Sequence, residues 1–169
     1  MIRTELIRRL GEIGVMSNRP VMLRSGVTSE FYCDIKKAYG HSDILNAFVE
    51  EIGKEITPDI TCITGSGYGG LPLAAVLSLR YDRHFVAARE MVKGHGRQEH
   101  LDGYLPTTDD RVLIVDDVLT TGSSIRATIS ALKETEAMIV KAVVLVKRGE
   151  ADLSIPFSFI LDIDELLEY

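Results

Sequence analysis

Along residues 2–12 the apolar positions Ile2, Leu6, Ile7 and Leu10 recur at the spacing of one helical face. The following stretch, VMLRSGVTSEFYCDIKKAYG, breaks that period. Two short strand-like runs flank the turn-prone RSGVTS, which predicts a hairpin. Ser42 and Asp43 then open a helix that carries Ile44, Leu45, Phe48 and Ile52 on one face. Beyond it, strands and helices alternate. ITCITG reads as a strand ending in glycine, GGLPLAAVLSLR as a helix that tolerates Pro72 near its start, and HFVAAR as a strand. EMVKGHGRQEHLDGYLPTTDD is long, polar and without period. RVLIVDD is a strand, GSSIRATISALKET a helix, MIVKAVVLVKR and PFSFILDI are strands, and DELLEY is a short helical tail.

Alternation with almost wholly apolar strands implies a parallel sheet covered by helices on both faces. The expected fold class is therefore α/β, as a single domain over residues 1–169. A small helix-and-hairpin lobe occupies 1–40, the α/β core 41–150, and a mobile loop 91–110. Structureless loops of about 20 residues are uncommon in compact domains and are often functional lids. This one carries Lys93, His95, Arg97 and His100 among the glycines 94, 96 and 103.

Composition adds exclusions. Of the 169 residues 46% are hydrophobic and 26% charged, ordinary for a globular chain long enough to bury a sizeable core. The net charge of −6 argues against broad nucleic-acid binding, though not against a small anionic ligand, because local charge decides that. Cys33 and Cys62 form no C-x-x-C pair and suggest neither a disulfide framework nor a zinc site. Cys62, inside ITCIT, reads as a buried small hydrophobe. The N-terminal segment reads as an amphipathic helix rather than a signal peptide, and no apolar run approaches a membrane span of about 20 residues. A cytoplasmic location, with no membrane or nucleic-acid partner, is the expectation.

The chemistry concentrates in VLIVDDVLTTGSS, residues 112–124. In open α/β sheets ligands bind beyond the carboxyl ends of the strands, where the next helix presents unpaired N–H groups and the positive end of its dipole. TTGSS stands there: Gly122 lets backbone approach a ligand, and Thr120, Thr121, Ser123 and Ser124 add hydroxyl donors. This is a phosphate cradle without the lysine of a Walker A loop. Asp116 and Asp117 would repel phosphate, so they need another partner, and vicinal sugar hydroxyls can donate to carboxylates. A ribose 5-phosphate satisfies both halves. Magnesium held mainly by the ligand's own oxygens is compatible with the pair.

This stretch resembles the phosphoribosyl diphosphate (PRPP) signature of the type I phosphoribosyltransferases. Further segments resemble one branch, orotate phosphoribosyltransferase: LRSGVTSEFYCDIKK its N-terminal hairpin, GSGYGGLPLAA its diphosphate loop, REMVKGHGRQEHLDG its mobile catalytic loop, and LVKRG the strand-end arginine that receives the orotate carboxylate. The resemblance runs in the family's order over nearly the whole chain. It implies a parallel-sheet phosphoribosyltransferase core with an N-terminal hood. It also implies transfer of ribose 5-phosphate from PRPP to orotate, giving orotidine 5′-monophosphate and diphosphate in pyrimidine biosynthesis. Mg²⁺ would come mainly with PRPP, with Asp116 or Asp117 reached through water, and a homodimer would share the catalytic loop across subunits. By the same resemblance Lys93, His95 and Asp117 are catalytic. PRPP would meet Arg89, Lys93 and His95, the run Asp116, Asp117, Val118, Leu119, Thr120, Thr121, Gly122, Ser123 and Ser124, and the loop Gly67, Tyr68, Gly69 and Gly70. Orotate would meet Arg24, Phe31, Tyr32, Thr120 and Arg148. Lys36 is an extra candidate cation. The chain departs from the family's pattern at Glu90 and Gly69, where lysines often stand. Transfer to another nucleobase, or regulation by PRPP binding without catalysis, are the alternatives.

Overall fold

The computed structural model describes residues 1–17, 21–22, 28–29, 31–89 and 100–168. Helix α1 (Arg3–Glu12) buries Leu6, Ile7 and Leu10, the stripe its spacing predicts, while Ile2 caps it and stays exposed. Strand β1 (Met16–Ser17) is followed by β2 (Val21–Met22), β3 (Thr28–Ser29) and β4 (Tyr32–Cys33). β2 pairs antiparallel with β3, which takes up the Thr28–Ser29 end of the expected turn, and β4 pairs with β1 rather than with β2. A 3-10 helix at Ile35–Gly40 follows, which the apolar pattern does not reveal. Helix α2 (Ser42–Gly53) buries Ile44, Ala47, Phe48, Val49 and Ile52.

The remaining elements are β5 (Cys62–Ser66), α3 (Gly67–Tyr81), β6 (His84–Ala88), β7 (Leu101–Gly103), β8 (Arg111–Leu119), α4 (Ser123–Leu132), β9 (Met138–Lys147), β10 (Phe157–Asp162) and α5 (Ile163–Leu167). Six strands form one sheet in the order β10-β9-β8-β5-β6-β7. All neighbours are parallel except β6 and β7. Along β8 the side chains alternate between faces. Leu113 and Val115 join α1, α2, α3 and α5 in one apolar cluster, and Val112 and Ile114 join α4 in another. Both faces are therefore covered, as the apolar strands require. No helix among the described residues is long and apolar enough to cross a membrane.

Four features differ from the sequence expectation. The polar segment 91–110 is not irregular throughout, because Leu101–Gly103 adds β7 to the free edge of β6. β8 does not end on its aspartates but continues through Val118 and Leu119, whose partners in β9 extend the ladder. Gly67–Gly70 is not a separate loop but the first turn of α3. The sheet also continues past residue 150, since β10 forms its edge.

Asp110, buried at the entry to β8, joins three strands. Its carboxylate accepts hydrogen bonds from the Thr61 hydroxyl before β5 (2.7 Å), the Tyr104 hydroxyl after β7 (3.0 Å) and the Thr107 N–H (2.8 Å). Burial alone would raise its pKa, but these donors outweigh burial and hold it below the usual carboxylate range. A depressed folded pKa contributes stability that is full above the unfolded value of about 3.9 and is lost as pH falls below it. Asp110→Asn is expected to lower the melting temperature at pH 7 by several degrees, at about 2–4 °C per kcal/mol. It should also flatten the decline of melting temperature between pH 5 and pH 3. Equal slopes for the two proteins in calorimetry would contradict this role.

Candidate functional site

From β5 the chain runs outward to β6 and β7, then returns to β8 on the other side of β5. Such a reversal opens a crevice at the carboxyl ends of the two strands. Here the crevice receives the N-termini of α3, entered at Gly67 (φ 58°), and of α4, capped by Gly122 (φ 77°). Both glycines hold left-handed backbone, which turns the chain sharply from strand to helix. Two helix ends thus bring unpaired N–H groups and positive dipole ends to one place.

At the α4 end, Thr120, Thr121 and Ser123 are exposed and Ser124 is half-buried. The Thr121 and Ser123 hydroxyls lie 2.9 Å apart. The Arg126 guanidinium donates to the carbonyls of Thr121 (2.7 Å) and Asp152 (3.2 Å), fastening the turn from behind. The hydroxyls of this cradle therefore face outward on a braced backbone.

The two aspartates occupy consecutive positions of β8, and their carboxyl groups lie close enough to interact. Asp116 is buried, and its Oδ1 accepts the Asp117 N–H (2.9 Å). Burial raises its pKa, and the charge of Asp117 raises it further, against the opposing bonds from the Asp117 N–H and the Ser124 hydroxyl. Asp117 is half-buried. Its Oδ1 accepts the Val118 N–H (2.8 Å) and its Oδ2 accepts Lys36 Nζ (3.1 Å). The carboxylate also lies against Gly69, where an added Cβ would sit 2.4 Å from Asp117 Cγ. Tyr39 completes this corner by donating its hydroxyl to the Gly69 carbonyl (2.8 Å). Burial, and then the charges of Asp117 and Asp116, push the phenol pKa up, so Tyr39 remains a donor.

Arg148 follows β9, and its N–H donates to the Leu119 carbonyl (2.9 Å), beside Thr120. Its guanidinium lies 4.9 Å from the Phe31 ring centroid and donates to the Phe31 carbonyl (3.1 Å). Phe31 packs against the core, and Tyr32, in β4, is half-buried. Phe31, Arg148 and Thr120 thus gather at one end of the crevice, while Gly67–Gly70, Asp117 and Lys36 gather at the other. The Tyr68 side chain is 90% exposed, so only the backbone of that residue belongs to the α3 turn.

Arg89, at the end of β6, donates to both carboxylate oxygens of Asp102 in β7 (2.7 and 2.8 Å). Arg24, Lys93 and His95, with Glu90, lie outside the described residues. Sequence reasoning missed Tyr39 and Asp102. The spacing of Lys36 and Tyr39 would have paired them only had a 3-10 turn been recognised, because that helix stacks residues i and i+3.

Residues 42–162 match the family model described as phosphoribosyl transferase domain. The orotate phosphoribosyltransferase of Methanosphaera stadtmanae is 34% identical over 174 residues, covering 99% of this chain and 97% of that protein. The orotate phosphoribosyltransferase of Methanothermobacter thermautotrophicus is 33% identical, covering 88% and 82% respectively. Among solved structures, the orotate phosphoribosyltransferase of Aeropyrum pernix superposes with a TM-score of 0.83 at 29% identity, over 96% of each chain. With this match, the parallel sheet and the crevice between two helix ends, the chain belongs to the phosphoribosyltransferase family, in its orotate phosphoribosyltransferase branch.

Proposed function

We propose that this protein transfers ribose 5-phosphate from PRPP to orotate, giving orotidine 5′-monophosphate and diphosphate, as a cytoplasmic enzyme of pyrimidine biosynthesis. The observation that carries the choice of base is the Arg148 guanidinium over the Phe31 ring, beside the cradle at Thr120. Orotate is flat and bears a carboxylate. An aromatic face suits the ring, and a guanidinium fork suits the carboxylate.

The reaction breaks the C–O bond at the anomeric carbon of ribose and forms a C–N bond to orotate. Positive charge develops on the sugar and negative charge on the departing diphosphate. The cradle at 120–124 binds the 5-phosphate and fixes the sugar's position. Asp116 and Asp117 accept the ribose hydroxyls. The N–H groups of the α3 turn face the diphosphate, where charge accumulates. Lys93 and His95, from the catalytic loop, and Arg89 add positive charge there and exclude water that would hydrolyse PRPP. Carboxylate oxygens are the hard donors Mg²⁺ takes, and Asp116 and Asp117 would reach an ion held mainly by PRPP oxygens. Bound there, such an ion would supply charge neutralisation at the leaving group.

A homodimer is supported by the outer face of α3. Tyr68, Pro72, Ala75, Val76 and Leu79 are exposed at helical spacing, with Leu79 at 87%. A contiguous exposed apolar stripe marks an association surface. Because α3 begins at the diphosphate end, pairing through it would bring the partner subunit to the site, as a shared catalytic loop requires.

With PRPP and Mg²⁺, the protein should consume orotate, followed as loss of pyrimidine-band absorbance. Turnover of a purine or uracil with none of orotate would overturn the base assignment. Arg148→Ala should raise KM for orotate about 10- to 100-fold, the size of a lost charge-assisted contact, and leave KM for PRPP within about twofold. Leu79→Glu should convert a dimer to a monomer in analytical ultracentrifugation and lower kcat at least about tenfold. A fully active monomer would contradict the shared loop.

A further inference from the structure

One corner of the crevice joins three segments far apart in sequence. The 3-10 helix at 35–40 stacks Lys36 and Tyr39 one turn apart. Tyr39 fastens the Gly69 carbonyl of the α3 turn, and Lys36 Nζ lies 3.1 Å from Asp117 Oδ2. Asp117 in turn rests directly on Gly69. The ammonium therefore stands beside the first turn of α3, the end of the crevice where backbone N–H groups point outward.

This corner sets opposite charges side by side. Two adjacent carboxylates stand between two helix ends suited to anions. Lys36 also lies 3.9 Å from Asp34, so it sits between two acidic side chains. Its side chain is 38% exposed, which leaves the ammonium open to the crevice. Tyr39, by contrast, is held against the turn and offers its proton to backbone. Of the two residues on this helical face, one braces the α3 turn and the other carries a part-exposed cation on a long aliphatic stem.

We propose that Lys36 is a diphosphate-binding residue, held on Asp117 while the crevice is empty and turned to the diphosphate when ribose hydroxyls take the carboxylate. This rests on the phosphoribosyl-transfer reading above. The exchange is balanced in charge: Asp117 gives up an ammonium and gains sugar hydroxyl donors, while the ammonium moves from a carboxylate to a phosphate oxygen. Because the same 3-10 helix holds the turn through Tyr39, the cation and the N–H groups it supplements keep a fixed spacing.

The test compares two fragments of the substrate. Binding of inorganic diphosphate with Mg²⁺, and separately of ribose 5-phosphate, is measured by calorimetry for the full-length wild type, Lys36→Ala and Lys36→Arg. Lys36→Ala should weaken diphosphate binding about 10- to 100-fold while ribose 5-phosphate affinity stays within about threefold. Lys36→Arg should restore most of the loss. In turnover, Lys36→Ala should raise KM for PRPP, weaken product inhibition by diphosphate and leave KM for orotate unmoved. If Lys36 serves only to neutralise Asp117, both fragments weaken together or ribose 5-phosphate weakens more, and the proposal is overturned. Unchanged diphosphate affinity in Lys36→Ala also overturns it. Failure of the wild type to bind either fragment would instead overturn the phosphoribosyl reading itself, and this inference with it.

Discussion

The site depends on the close backbone approach of the β5–α3 turn to β8. A Cβ at Gly70 would lie 2.6 Å from the Val115 carbonyl oxygen, and one at Gly65 2.4 Å from that of Gly70. No side chain fits between the turn and the strand. The carboxylates of β8 are thereby held against the N–H groups of α3, and the distance between the sugar end and the diphosphate end of the crevice is fixed by backbone. Interiors packed at crystal-like density transmit such constraints without slack. The fold's two apolar clusters, one on each face of the sheet, hold that spacing from both sides.

Within this frame the charges are arranged by environment. Asp116 is enclosed, and burial favours its neutral form. Asp117, one residue on, meets the Lys36 ammonium and is half-buried. Burial would lower the Lys36 pKa, but the charge and hydrogen bond of Asp117, joined by Tyr32 and Asp34, together outweigh it and raise the value. Adjacent carboxylates on one strand thus receive different partners, Asp116 the Ser124 hydroxyl and Asp117 the Lys36 ammonium. Arg89 and Asp102 form a second such pairing at the base of the polar segment, across the antiparallel β6–β7 ladder.

Much of the architecture was legible in the sequence where apolar runs were long. β8 and β9 carry long runs of Val, Ile and Leu, and α2 and α4 carry clear helical stripes. β7 was not legible: Leu101–Gly103 is too short to show a period, and its strand state comes from the edge of β6. The 3-10 helix escaped for a related reason, since six residues at a period of three look like a turn. Reading β8 as ending on its aspartates weighted their polarity over the Val118–Leu119 continuation, which pairs with β9. At the crevice, the cradle and Arg148 could be identified from local motifs. The Lys36–Asp117 contact spans 81 residues of sequence, and no spacing rule connects them.

Gly69 carries a consequence for how relatives of this chain are compared. Its missing side chain would be counted as a lost lysine in a position-by-position reading of the motif. Yet an added Cβ there overlaps Asp117 Cγ at 2.4 Å, where unstrained carbon contacts are about 3.5–4.0 Å. A lysine at 69 therefore requires Asp117, and with it the Lys36 ammonium, to shift by about 1 Å. The residues at 36, 69 and 117 form a single combination, and scoring them independently treats a rearrangement of charge as an absence of it.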